Sequence, residues 1–220
     1  MRIYCVIPAY NEEDTIVEVL KSVKPAVDQV VVVDDGSADK TFELSKAQGV
    51  AALKHIFNRG QGAALETGNE YALRRGADII VHFDADGQFL AEEIKELVAP
   101  IKAGQADVVF GSRFLGKKNN MPWLKRRVMM PLARLMNRVF FNVKLSDPQS
   151  GFRAMSEKAV RKVRITNDGM AHCSEIIGKV FQSELRVKET PITVVYRTFG
   201  QGPGGGLKII KDLIISKLLG

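Results

Sequence analysis

Two aspartates separated by a single residue, Asp84 and Asp86, are the sharpest chemical signal in the chain. In an irregular turn both carboxylates can face one divalent cation, and oxygen donors with open positions suit Mg2+ or Mn2+ bridging a diphosphate. A calcium loop would need further acidic ligands and a closing glutamate, which do not follow here. Taken alone, such a pair is more often an acidic turn after a strand, so its company decides. Polar residues gather in the same way at Pro8-Ala9-Tyr10-Asn11-Glu12, Asp34-Asp35, Asn58-Arg59-Gly60-Gln61-Gly62 and Gly111-Ser112-Arg113. Two common nucleotide chemistries drop out. Gly200-Gln201-Gly202-Pro203-Gly204-Gly205 formally fits a dinucleotide fingerprint, yet no strand follows it and no acid stands about 20 residues on. No Gly-Lys-Ser or Gly-Lys-Thr occurs, which removes the usual phosphate loop.

The elements that must carry these clusters alternate. Ile3 to Ile7 reads as a strand, and Ile16, Val19, Leu20 and Val23 recur at helical spacing. Gln29 to Val33 is nearly all valine, as in a strand buried on both faces. Ser37 or Asp39 can cap a helix running through Gln48. Strands then follow at Val50–Ile56, Asp78–Phe83 and Asp107–Gly111, with helices at Gly60–Arg75 and Ala91–Ala103. This alternation predicts a doubly wound α/β sheet, in which every polar cluster sits at the carboxyl end of a strand, where such sheets bind ligands. Five strand ends therefore describe one site. In the second half, Leu124 to Phe140 keeps a helical period around Pro131, and Asp147-Pro148-Gln149-Ser150-Gly151 reads as a turn before a helix from Glu157. A helix over Ala171–Gln182, a strand over Arg186–Tyr196 and an amphipathic helix over Leu207–Leu219 complete the chain. His172 and Glu175 are spaced to meet on one helix face, as a polar contact or a plain surface, and Cys173 reads as a small buried residue.

The 220 residues, 45% hydrophobic and 26% charged, suit one soluble domain. No apolar run is long enough for a membrane span, and the first residues lack the pattern of a signal peptide. Two cysteines exclude a disulfide framework or a four-cysteine zinc site, and the expected location is cytoplasmic. The net charge of +7 is concentrated: nine lysines and arginines, and no acid, lie between Asp107 and Asp147. That stretch would seek nucleic acid, an anionic membrane or phosphorylated substrates. No nucleic-acid motif accompanies it, so nucleic acid is not an expected partner.

Val6-Ile7-Pro8-Ala9-Tyr10-Asn11-Glu12-Glu13, Val32-Val33-Asp34-Asp35-Gly36-Ser37, Asp84-Ala85-Asp86-Gly87-Gln88, Gly111-Ser112-Arg113-Phe114 and Asp147-Pro148-Gln149-Ser150-Gly151-Phe152-Arg153 occur in that order. Together they resemble the inverting family 2 glycosyltransferases of GT-A fold, in the branch of dolichol-phosphate mannose synthases and bacterial polyprenyl-phosphate glycosyltransferases. The resemblance implies a GT-A type, mostly parallel sheet flanked by helices, with amphipathic helices on the acceptor side. It implies one domain, in which residues 1–113 bind the nucleotide sugar and residues 114–220 the acceptor. The reaction it implies moves a hexose from GDP-mannose or a UDP-sugar to a polyprenyl or dolichyl phosphate. The alternatives are transfer to a hydroxyl of a cell-envelope glycan, and a non-catalytic, membrane-associated nucleotide binder.

Carried over by the resemblance, Pro8, Ala9, Tyr10, Glu12 and Asp35 hold the nucleoside. Asp84, Ala85, Asp86 and Gln88 hold the diphosphate and the Mg2+ or Mn2+ ion, the metal ligands being Asp84, Asp86 and Gln88. Arg113 faces the phosphates, Arg197 closes over the donor, and Arg113 with Arg127 grips the acceptor phosphate. Past Arg197 the chain departs from the family's Gly-x-Ser-Lys pattern, reading Phe199-Gly200-Gln201-Gly202. Asp147 has two readings. It is a general base if the acceptor is a hydroxyl, or a structural residue if the acceptor is a phosphate, which is already anionic near pH 7. The resemblance also admits a separate membrane-anchoring subunit and a peripheral place on the cytoplasmic membrane face. The basic stretch fits that placement, with Trp123 at headgroup level and the Leu124-to-Phe140 stripe as apolar face.

Overall fold

The computed structural model describes residues 1–116 and 145–195. Arg127, Arg197, Trp123, the Leu124-to-Phe140 stripe, the Gly200–Gly205 loop and the Leu207–Leu219 helix lie outside the described residues. Seven strands form one sheet: β1 Ile3–Ala9, β2 Gln29–Asp34, β3 Ala51–Lys54, β4 Ile79–His82, β5 Val108–Ser112, β6 Arg153–Ser156 and β7 Val187–Pro191. The helices are α1 Ile16–Val23, α2 Thr41–Ala47, α3 Gln61–Arg74, α4 Ile94–Lys102, α5 Glu157–Lys162 and α6 His172–Gln182.

The strand order is β3-β2-β1-β4-β6-β5-β7, and β6 alone runs antiparallel to its neighbours β4 and β5. Alternation along the central strands explains the layers. Ile3, Cys5 and Ile7 of β1 join Val30, Val32, Ile79 and Val81 in a core beneath α1 and α4. Tyr4, Val6, Val31, Val33 and Ile80 face the opposite core, beneath α3 and α6. Both faces are covered, so the valine run of β2 is fully apolar. Helix α3 lies close to β1 because Gly68 has no side chain: a Cβ there would fall 2.3 Å from Val6 Cγ1.

The expected alternation is present, with three differences. Strand β6 falls where the sequence suggests the end of a turn; its four residues include a buried arginine and carry no strand signature. Strand β7 ends at Pro191 rather than near Tyr196. The Ile192 N–H still bonds the Ser112 carbonyl at 2.9 Å, and the residues after it turn toward the Asp86 loop, where the Val195 N–H donates to the Gln88 carbonyl at 2.9 Å. The edge strand β3 is shorter than expected, since His55 turns its ring inward to Asp35.

Candidate functional site

All the parallel strands end on one edge of the sheet, and the polar clusters stand along it. Pro8 and Ala9 are buried strand residues, and Tyr10 is the first side chain to emerge. Asn11 takes a left-handed backbone (φ 54°), which lets it bind the next strand end twice. Its N–H donates to Ser37 Oγ at 2.9 Å, and its side-chain oxygen accepts the Ala38 N–H at 3.0 Å. The Glu12 N–H donates to Thr41 Oγ1 at 2.8 Å. Burial raises the Glu12 carboxyl above its ordinary value, and the Asp86 charge raises it further, so the β1 and β4 loops converge electrostatically. The N-cap of α2 is Lys40, neither Ser37 nor Asp39; Asp39, one residue earlier, accepts the Thr41 N–H at 2.9 Å.

Asp35 is buried and committed to the protein. Its Oδ1 accepts from His55 Nδ1 at 2.7 Å and the Arg59 N–H at 3.0 Å, and its Oδ2 accepts the Gly60 N–H at 2.6 Å. Since Nδ1 of His55 faces a carboxylate, Nε2 accepts from Thr67 Oγ1 at 3.0 Å when the ring is neutral. Asp35 therefore shapes the loop between β3 and α3.

At the end of β4, Asp84 accepts Gln61 Nε2 at 3.0 Å and Asp86 accepts the Gln88 N–H at 3.0 Å. Ala85 between them is buried. Burial, aided by the Asp86 charge, pushes the Asp84 carboxyl up to about 7. The two carboxylates raise each other's cost of ionisation, and hard oxygen donors of this kind suit Mg2+ or Mn2+. A Cβ on Gly151 would fall 2.6 Å from Asp84 Oδ2, so only glycine leaves this carboxylate its place. Among the described residues no cluster of three histidines, cysteines or acids could hold a metal. Among the described residues Asp84 and Asp86 could thus supply two acidic ligands, with neutral groups, substrate or water to complete a coordination shell.

At the end of β5, Arg113 and Asp147 pair with each other. Nε and Nη2 of Arg113 donate to Asp147 Oδ2 and Oδ1, both at 2.6 Å, and the Arg113 N–H donates to Oδ2 at 3.1 Å. Asp147 is fully buried. Glu189 of β7 fixes the backbone beneath it, accepting the Ser146 N–H at 2.9 Å, Ser146 Oγ at 2.7 Å and the Asp147 N–H at 3.3 Å. The Asp147 side chain holds an arginine, not the turn after it.

Behind Asp84 lies a cluster that the sequence does not announce. Arg153 is buried, donating through Nε to the Gly151 carbonyl at 3.2 Å and through Nη2 to Cys173 Sγ at 3.6 Å. Cys173 is half-buried, and its sulfur lies 3.4 Å from His172 Nε2. Burial raises this thiol, but His172 and Arg153 outweigh burial and bring it down to about 6. His172 and Glu175 do not meet. His172 Nδ1 bonds the Gly169 carbonyl at 2.9 Å, whereas Glu175 accepts the Asn167 N–H at 2.8 Å and Lys179 Nζ at 2.6 Å. One turn of helix brings their backbones together, while loop partners draw the side chains apart.

The model of a family described as Glycosyl transferase family 2 matches residues 4–164. The UDP-N-acetylglucosamine--dolichyl-phosphate N-acetylglucosaminyltransferase of Methanococcus voltae is 32% identical, over 98% of this chain and 96% of its own. The polyprenol monophosphomannose synthase of Mycolicibacterium smegmatis is 33% identical, over 94% of this chain and 83% of its own. Among solved structures, glucosyl-3-phosphoglycerate synthase from Mycobacterium tuberculosis, in complex with Mn2+, UDP and phosphoglyceric acid, superposes with a TM-score of 0.75. That match covers 99% of this chain and 77% of the other at 23% identity, a likeness of fold.

Proposed function

We propose that this chain, which belongs to glycosyl transferase family 2, moves a hexose from a nucleotide-diphosphate sugar to a polyprenyl or dolichyl phosphate, with inversion at the anomeric carbon. One observation carries the choice of acceptor: both oxygens of Asp147, the candidate general base, accept hydrogen bonds from Arg113. A carboxylate whose two oxygens are both engaged by a guanidinium fork is not placed to take a proton from an acceptor hydroxyl. A hydroxyl acceptor needs a base, whereas a phosphate monoester, with a second pKa of about 6, is already an anion.

In the proposed reaction an oxygen of the acceptor phosphate attacks the anomeric carbon. A bond from that carbon to the acceptor oxygen forms, and the bond to the donor diphosphate breaks. The nucleoside diphosphate leaves with the electron pair. Tyr10, Glu12 and Asp35 bound the nucleoside end of the cleft. Asp84, Asp86 and Gln88 would hold Mg2+ or Mn2+ there, and the ion when bound supplies neutralisation of the leaving diphosphate, worth several kcal/mol. Arg113, aimed by Asp147 and Glu189, brings a fixed positive charge toward the phosphates. One named relative carries dolichyl phosphate in its name and the other polyprenol monophosphomannose, and the M. tuberculosis structure holds Mn2+ and UDP, which supports the same classes here.

The test is a product assay with GDP-mannose, UDP-glucose and UDP-N-acetylglucosamine, each with Mn2+ and either polyprenyl phosphate or the unphosphorylated polyprenol. A sugar-linked lipid phosphate should form with one donor and only from the phosphate. Transfer to the alcohol at an equal rate would overturn the reading.

A further inference from the structure

Exposed apolar side chains are not scattered evenly over the described residues. Of the eight large apolar side chains exposed among the described residues, Tyr10, Ile56, Phe57, Leu115 and Val195 follow the carboxyl ends of parallel strands, while Met170 and Phe181 lie just before and within α6. Met1, by contrast, stands at the opposite edge. The extreme case is the loop after β3, where Ile56 is 99% and Phe57 67% exposed.

Local structure holds this pair outward. On one side the His55 ring is fixed between Asp35 and Thr67; on the other, the Arg59 and Gly60 N–H groups bind the Asp35 carboxylate. Beneath, Gly36 has φ 78° and a Cβ there would fall 2.7 Å from the Phe57 carbonyl carbon, so the loop backbone rests on bare glycine. The chain between these anchors has no slack with which to tuck two large side chains into the core. Lys54 and Arg59 flank the pair at two residues on either side; both are partly exposed, and they also lie 4.0 Å from Asp34 and 3.6 Å from Asp168. Apolar tips between cations match a bilayer interface, where rings and aliphatic chains enter the headgroup boundary and cations meet lipid phosphates.

We infer that Ile56 and Phe57 form a wedge that inserts into the surface of an anionic bilayer and sets the carboxyl edge of the sheet against it. The inference rests on the lipid phosphate acceptor proposed above, because such an acceptor keeps its chain in the membrane and offers its phosphate only at the surface. The edge that carries Asp84, Asp86 and Arg113 is then the edge that must face the bilayer.

The experiment compares the wild-type chain with Ile56→Ser/Phe57→Ser on vesicles of phosphatidylcholine and phosphatidylglycerol, read by flotation. Rates are measured in parallel with polyprenyl phosphate either in detergent micelles or embedded in the vesicles. The wild type should float, and the double variant should partition about tenfold more weakly or less. Its rate should fall in step on vesicles and stay within about twofold in detergent, with an unchanged melting temperature. Equal flotation of the two proteins, or no flotation of the wild type, overturns the wedge. So does a raised KM for the donor in detergent, which would make Phe57 a nucleoside contact. A wild-type dimer in light scattering that becomes monomeric in the variant, without change in flotation, overturns it in favour of a self-association surface. Flotation needs no turnover, so absence of any lipid-linked product would count against the proposed function alone.

Discussion

Replacing Asp147 with alanine should destabilise the fold by about 3–5 kcal/mol, because it strands a buried guanidinium without its counter-charge. The magnitude follows from the contacts. Two charge-assisted hydrogen bonds at 2.6 Å and a backbone N–H at 3.1 Å converge on one carboxylate. The Arg113 side chain is only 12% exposed, so water cannot replace them. For a chain of this length the loss corresponds to a fall of about 6–20 °C in melting temperature. Asp147→Asn keeps one acceptor oxygen and should cost less, about 2–3 kcal/mol. Arg113→Met/Asp147→Leu removes both charges and should lie nearer wild type than either single variant, giving a positive coupling in a double-mutant cycle. Urea unfolding followed by circular dichroism measures all of these. An alanine variant within 2 °C of wild type would refute a buried, mutually dependent pair. Activity separates the two roles of Asp147. With a phosphate acceptor, Asp147→Asn should retain a rate within about tenfold and an unchanged acid limb of the pH profile, whereas loss of a general base costs about 10² or more.

Three further outcomes follow from the same geometry. Asp86→Ala, or wild type in excess EDTA, should keep the fold and lose turnover, and nucleotide sugars should then no longer raise the melting temperature; full activity in EDTA would count against the metal. Gly151→Ala should displace the Asp84 carboxylate, which lies 2.6 Å from the added methyl, and cut activity far more than stability; equal turnover would show that Asp84 can move without consequence. Hydrogen bonds from Arg186 hold the Asp107 carboxyl well below the ordinary carboxylate range. A depressed folded value means that the stabilisation is complete above the unfolded value near 4 and is lost as pH falls toward the folded one. The gap in urea midpoint between wild type and Asp107→Asn should thus be constant from pH 7 to about pH 5 and close in stronger acid; a gap that widens in acid would reverse the assignment.

The layers of the fold were legible because burial on both faces writes itself into composition. Val30 to Val33 can only be a central strand, and the spacing of Ile16, Val19, Leu20 and Val23 can only cover one face of it. Strand β6 was not legible, since four residues containing Arg153 offer neither alternation nor a β-branched run. The end of β7 was hidden for the opposite reason: Ile192, Val194 and Val195 continue a strand-like pattern, yet after the Ile192 N–H bonds the Ser112 carbonyl the chain turns to Gln88.

The site was half legible for a reason that β6 supplies. Strand-end motifs can be listed from sequence, because in a parallel sheet every carboxyl end reaches the same edge. What cannot be listed is which motif touches which, since that depends on where the chain re-enters the sheet. By inserting β6 between β4 and β5, the chain brings residues 145–153 across both strand ends at once. Gly151 then abuts Asp84 of one, and Asp147 clasps Arg113 of the other, 34 residues away. Glu189 completes the arrangement from β7, 43 residues beyond Ser146, and nothing in its own neighbourhood marks it as a partner. The two readings of Asp147 that stand level in the sequence weigh differently after this single topological step. A strand inserted elsewhere would leave the carboxylate open; inserted here, it makes Asp147 the anchor of an arginine, which supports the proposed transfer to an acceptor already charged.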